Sequence, residues 1–204
     1  MGASTTERTE TIKAWLADSA GVLTLTAGAQ TAQIARAAEL MIEAIRGGRK
    51  IIWFGNGGSA TQSQHMAAEF VGRFLKERPS WPSMSLTENV GSLTAIGNDY
   101  AYEEVFARQL QGLAQAGDVA VGISTSGSSA NVLKALEVAK PLRVKTIGLT
   151  SSKGPGAMRQ RCDVCIEIPS SVTARIQEAH LAVGHILCGL IEETLLAEGW
   201  TPRR

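Results

Sequence analysis

The chain has 204 residues, 44% hydrophobic and 19% charged, enough for one domain with a sizeable core or one domain plus a helical extension. Twenty basic residues face nineteen acidic ones, a formal charge of +1, which removes any global electrostatic case for nucleic acid or a membrane surface and leaves only a local patch open. No apolar run is expected to reach the roughly eighteen residues of a membrane helix. The polar start MGASTTERTE has no signal core, so the expectation is a cytoplasmic protein with neither membrane nor nucleic-acid partners.

In chain order, residues 1–7 read as a flexible leader, with MGAS only a faint echo of a myristoylation start. Helical periodicity predicts a helix over about 8–18 and a second over QTAQIARAAELMIEAIRGG, stopped by its glycine pair. KIIWF (50–54) is a short, wholly apolar strand of the kind buried on both faces. A helix over 59–74 follows, with Ser59 as its cap and Gln62 completing a capping box.

SMSL (83–86) is a weaker strand, and helical pieces are expected near 88–97 and 101–115. DVAVGIS (118–124) is a strand, followed by TSGSSA and a helix over 129–139. VKTIGLT (144–150) and VCIEIP (164–169) are the last strands, with a short helix around 155–160 between them. A long helix runs from 173 to 198, and 199–204 are a tail. The alternation of helix and buried strand predicts an α/β three-layer sandwich with right-handed crossovers, one domain over 8–198. The two early helices have no strand to cover and are expected to pack on the sheet or on a partner subunit.

Two loops share one design. GNGGSA (55–60) and STSGSSA (124–130) each follow a strand and open a helix, where α/β sheets bind ligands and helix N-termini attract anions. Ser124, Thr125, Ser126, Ser128 and Ser129 put five hydroxyls within six residues, a dense donor set for one phosphate. Neither loop carries a P-loop lysine or the G-x-G-x-x-G pattern, which disfavours a nucleotide. The plainer reading of such loops is turn-making by Gly and Ser.

His65 and Glu69 stand four apart on one helix face, suited to two ligands of one metal or to an acid and a base, although such pairs are also ordinary surface partners. In the last helix Gln177, His180 and His185 interrupt an apolar stripe. His180 reads as a satisfied core histidine, whereas His185 needs a partner, which a site shared with Glu69 would supply. Asn98 and Asp99, at a helix break, suit sugar hydroxyls or a helix cap. Cys162 and Cys165 form C-x-x-C but have no second pair for a zinc ribbon, and DVCIEIP reads as a buried strand.

FGNGGSATQSQHMAAEFVGRF, GNDYAYEEVFARQL, GDVAVGISTSGSSANVLKAL and IPSSVTARIQEAHLAVGHILC together resemble the bacterial phosphoheptose isomerases, over about residues 30–198. The resemblance implies a sugar isomerase (SIS) fold with a flavodoxin-like five-stranded parallel sheet, and a homotetramer with active sites between subunits. It also implies isomerisation of sedoheptulose 7-phosphate to D-glycero-D-manno-heptose 7-phosphate. By the same resemblance Asn56, Gly57, Gly58, Ser59, Asn98 and Asp99 contact substrate. Ser124, Thr125, Ser126 and Ser129 cradle its phosphate. His65, Glu69, Gln177 and His185 match a zinc set, one ion per subunit, and Gln177 and Glu69 also touch substrate. Glu69 and His185 are the implied acid–base pair.

Rival readings are a related tetrameric adaptor that binds a replication initiator, an isomerase of another phosphosugar, and a phosphosugar sensor. Retention of both Glu69 and His185 counts against the adaptor and the sensor.

Overall fold

In the computed structural model, which describes residues 4–201, the five expected strand segments form one parallel sheet. The strands are β1 (Ile51–Gly55), β2 (Ser83–Ser85), β3 (Val119–Ile123), β4 (Lys145–Ser151) and β5 (Val164–Ile168), in the order β2-β1-β3-β4-β5. Ile51 aligns with Ser83 on one side and Val119 on the other, and Val119 in turn with Lys145. β1 and β3 are fully buried, as their lack of polar alternation requires.

Side-chain alternation then sorts the core into two layers. Ile51, Trp53, Val119 and Val121 join a cluster with α1 (Thr5–Arg46), α2 (Gly58–Val71) and α6 (Thr173–Ala197). Ile52, Phe54 and Ala120 point the other way, against α4 (Ala107–Leu113) and α5 (Ala130–Ala139). α3 (Val90–Asp99) buries none of its residues and lies beside a 3₁₀ turn, Tyr102–Glu104. The architecture is the expected α/β three-layer sandwich.

Five expectations are corrected. The two early helices are one continuous helix of 42 residues, α1. Gly21 and Gly28 sit inside it, each costing roughly 1 kcal/mol against alanine. Burial of Val22, Thr26, Ile34 and the apolar residues between Ala37 and Ile45, with α6 as the main neighbour, outweighs that cost. α1 begins at Thr5 behind a capping box in which Ser4 Oγ accepts from Glu7 N and the Glu7 carboxylate accepts from Ser4 N. Residues 4–7 of the anticipated leader are therefore this cap and first turn, while 1–3 and 202–204 lie outside the described residues.

Ser59 does not cap α2. Gly57, at φ 54°, is the cap residue, and Ser59 is buried one residue into the helix. Between β4 and β5 only the short 3₁₀ turn Arg159–Arg161 forms.

Finally, α6 is long and apolar enough to cross a membrane by length and composition, contrary to the reading that no run approaches that limit. Half of its apolar window is buried inside the protein, where it packs on α1, α2 and the sheet and carries the buried His180 and Glu192. That is the environment of a core helix.

Candidate active site

Strand order reverses direction between β1 and β3, so the carboxyl ends of these two strands open a crevice of the kind that holds ligands in α/β sheets. Both glycine- and serine-rich loops lie there. In the first, Gly57 takes the left-handed backbone that lets β1 turn directly into α2. A Cβ at Gly58 would stand 2.4 Å from Gln177 Nε2, so glycine is what lets α6 lay Gln177 over the start of α2. Gln62 Nε2 secures that approach by donating to the Gln177 carbonyl at 2.6 Å.

The second loop is held by its own hydroxyls. Buried Ser124 Oγ contacts Ser129 Oγ at 2.9 Å and accepts from Gly127 N at 3.2 Å. Ser126 Oγ accepts from Ser128 Oγ at 3.0 Å. Thr125, Ser126 and Ser128 line a cavity of about 350 Å³, whose other walls include Ser151, Lys153, Gly154, Ser171 and Thr173. Six hydroxyl side chains and one cation with no carboxylate make this an anion pocket. The α6 N-terminus at Thr173 has no side-chain cap, leaving its backbone donors and partial positive charge available.

α2 and α6 bring His65, Glu69 and His185 together. His65 Nε2 lies 2.9 Å from His185 Nε2 and 3.4 Å from Glu69 Oε1. Phe74 stacks on the His185 ring, with centroids 5.5 Å apart, and so fixes its plane. One ligand atom from each residue, a ring nitrogen of either histidine and a carboxylate oxygen of Glu69, falls within 4.8 Å of the other two. Ligand atoms on a tetrahedral zinc at about 2.0–2.1 Å stand about 3.3 Å apart, so the donor set of two imidazoles and a carboxylate fits that ion. Buried Cys188 has its thiol pushed up to about 12, first by burial and then by the Glu69 charge, and so stays protonated beside the cluster.

A buried ion pair locks this cluster from behind. Glu192 on α6 accepts from Arg78 Nε at 2.9 Å and from the backbone N–H groups of Phe74, Leu75 and Lys76. Arg78 in turn donates to the carbonyls of Glu69 and Phe70, at 2.7 and 2.9 Å. The segment carrying Phe74 is thereby tied to both helices of the cluster.

Other expected site residues fall elsewhere. Gln177 is two turns before His185, about 12 Å along the helix axis, with its amide on Gly58. Asn98 and Asp99 end α3, exposed, with Asn98 Nδ2 donating to Asp99 Oδ1 at 2.8 Å. Ser59 is buried beneath Gly55. Cys162 and Cys165 bring their thiols into hydrogen-bond contact, which together with burial pushes the Cys162 thiol up.

His180 is a core histidine that Thr150 half satisfies: its Nε2 lies 3.2 Å from the Thr150 carbonyl, while Nδ1 has no partner. Burial pushes its pKa down to about 4, against an ordinary 6.5. As pH falls below 6.5 the unfolded chain takes the proton first. Stability is therefore expected to hold above about 6.5 and to decline by about 3 kcal/mol towards pH 4. His180→Gln should flatten that slope in urea titrations across the range.

Lys153, Ser151, Ser171 and Thr173 were not read from the sequence as pocket residues, yet TIGLTSSK ends a strand just as the two recognised loops do. The strand-end rule, applied a third time, would have found the first two.

The architecture and the crevice are those of a sugar isomerase domain, and the SIS domain model matches residues 14–151. A phosphoheptose isomerase from Rhodospirillum rubrum is 52% identical over 162 residues, covering 79% of this chain and 86% of the relative. One from Nitratiruptor sp. is 57% identical over 155 residues, covering 76% and 82%. The solved phosphoheptose isomerase of Neisseria gonorrhoeae superposes with a TM-score of 0.85 at 38% identity, over 91% of this chain and 98% of that one. That of Francisella tularensis gives 0.86 at 35% identity, over the same shares. The chain belongs to the phosphoheptose isomerase family, enzymes that act on a phosphorylated sugar.

Proposed function

We propose that the protein converts D-sedoheptulose 7-phosphate to D-glycero-D-manno-heptose 7-phosphate, the entry to heptose supply for cell-envelope polysaccharide. The observation that carries this reading is the His65–Glu69–His185 cluster in a chain of this family that also holds a hydroxyl-rich anion pocket. The phosphate anchors at Ser124, Thr125, Ser126 and Ser129, and Asn56, Gly57, Gly58, Asn98, Asp99 and Gln177 serve the sugar. Glu69 removes the carbon-bound proton at C1 of the ketose and His185 moves protons at the C1 and C2 oxygens, giving an enediol. Protonation at C2 then yields the aldose.

His65, Glu69 and His185 are the residues that would hold a zinc ion; Gln177, with its amide on Gly58, would join them only from a neighbouring copy. When bound it would supply electrostatic stabilisation to negative charge on the substrate oxygens. The adaptor reading is disfavoured by the intact Glu69 and His185.

The domain unit in this reading is the expected 8–198, extended at its start by the cap and first turn of α1, working as a cytoplasmic homotetramer. Two features support assembly. α1 exposes Ile12, Trp15, Leu16 and Leu25, and an apolar groove of about 540 Å³ between α1 and α6 is lined by Leu23, Ile34, Val183, Ile186 and Leu190. Distance supports sites shared between copies: His65 and Glu69 lie about 10 and 16 Å along α2 from Gly58, beyond easy reach of one sugar held at that loop.

Turnover in D₂O tests the chemistry. An enediol route places deuterium at C2 of the aldose, and a product free of deuterium would point to direct hydride transfer instead. The pocket cation gives a second test. Lys153→Met should raise KM about tenfold with kcat little changed, since an anchoring charge far from the reacting carbons acts on ground and transition states alike. Unchanged KM would remove Lys153 from the phosphate site.

A further inference from the structure

The two loops of the crevice are joined by a part-buried amide pair, of which Asn131 has no role in the proposed chemistry. Asn131, on the first turn of α5, is buried, and its side chain meets Asn56 of the β1–α2 loop in a reciprocal amide pair. Asn56 Nδ2 donates to Asn131 Oδ1 at 2.8 Å, and Asn131 Nδ2 donates to Asn56 Oδ1 at 2.9 Å.

The polarity of the pair is forced. The Val132 backbone N–H, which can only donate, lies 2.9 Å from the Asn131 oxygen, so that atom must be the acceptor. The remaining Asn131 group is then the donor, and Asn56 must present its oxygen to it. Tyr102 OH donates to the same Asn56 oxygen at 3.1 Å. Asn56 is thus held with its carbonyl oxygen occupied by two donors and one N–H left over for a ligand.

We propose that Asn131, seconded by Tyr102, is a positioning residue that fixes the amide orientation of Asn56 and sets the spacing of the sugar-side and phosphate-side loops. This rests on the reading of Asn56 as a substrate contact. A freely rotating Asn56 would spend part of its time offering an acceptor where the substrate needs a donor, and would pay ordering entropy on each binding event.

The test is a double-mutant cycle on Asn56→Ala and Asn131→Leu, read in kcat/KM and, independently of turnover, in the calorimetric Kd for sedoheptulose 7-phosphate. Each single variant should lose about tenfold, and the double variant should be no worse than Asn56→Ala alone. Multiplying losses, or an Asn131→Leu variant that binds like wild type, would overturn the proposal. Tyr102→Phe alters an exposed side chain, so it keeps the test open should Asn131→Leu fail to fold. It should weaken binding about threefold in the wild-type background and not at all beside Asn56→Ala; an equal loss in both would contradict the coupling. Wild-type turnover, measured in the same series, reports on the isomerase reading separately from this coupling.

Discussion

Glu69→Gln is expected to lower kcat by about a thousandfold or more while leaving KM and the melting temperature close to wild type. The substitution keeps size and one acceptor oxygen but removes the group that takes a proton from carbon, and positioned acid–base groups contribute about 10²–10⁴ in rate. Glu69 is partly buried at the face shared by α2 and α6, with His65 at 3.4 Å, so a neutral amide leaves the packing in place. Steady-state kinetics with a thermal melt on the same sample separate lost chemistry from lost folding. His185→Ala should show a comparable fall in kcat, accompanied by some loss of stability because Phe74 loses the ring it stacks on. A Glu69→Gln variant within tenfold of wild type would place the base elsewhere.

The second large effect is on stability. Arg78→Met is expected to cost about 3–5 kcal/mol, because it leaves the Glu192 carboxylate buried without its counter-charge. Both side chains are almost wholly buried, at 2% and 1% exposure, so solvent does not screen the pair. The same change removes the side-chain donor to the Glu69 carbonyl, leaves the Phe70 carbonyl with the Trp81 backbone N–H alone, and takes the guanidinium from the face of Trp81, 3.8 Å away. Urea titration measures the loss. A deficit below about 1 kcal/mol would mean that water reaches the pair, as at an exposed ion pair.

Glu192 also sets an acid limit. Burial pushes its carboxyl up, but hydrogen bonds from the Leu75 and Lys76 N–H groups, Arg78 and the Phe74 N–H outweigh that and hold it below the ordinary carboxylate value. A lowered native value contributes stability above the unfolded pKa and loses it as pH falls through the native one. Its contribution is therefore full at neutral pH and fades only below about 4.5, later than that of His180.

Both layers of the sheet were legible because buried parallel strands have an unmistakable pattern: IIWF and VAVGI carry no polar residue, and their fixed alternation alone distributes side chains to the two cores. Loop chemistry was legible for the same reason, since glycine and serine clusters at strand ends follow local rules. What misled was local preference set against distant packing. Gly21 and Gly28 fall in the interval between the two expected helices, yet their cost is offset by apolar neighbours on α6, more than a hundred residues away in sequence. Ser59 suggested a cap, but Gly57 reaches the necessary backbone without a side chain.

The polar pairs were invisible in advance. Asn56 with Asn131, and Arg78 with Glu192, are separated by 75 and 114 positions, and nothing in either local stretch names its partner. His65, Glu69 and His185 were found because an i,i+4 pair and a histidine in an apolar helix each carry a local signal. Lys153 carried one too, at the end of a strand, but exposed lysines are too common to stand out.

The most direct test of the central claim is to incubate the purified wild-type protein with sedoheptulose 7-phosphate, with and without added zinc, and to follow the sugar by NMR. The appearance of D-glycero-D-manno-heptose 7-phosphate is the predicted result. A well-folded protein that leaves the ketose unchanged under both conditions would contradict the account.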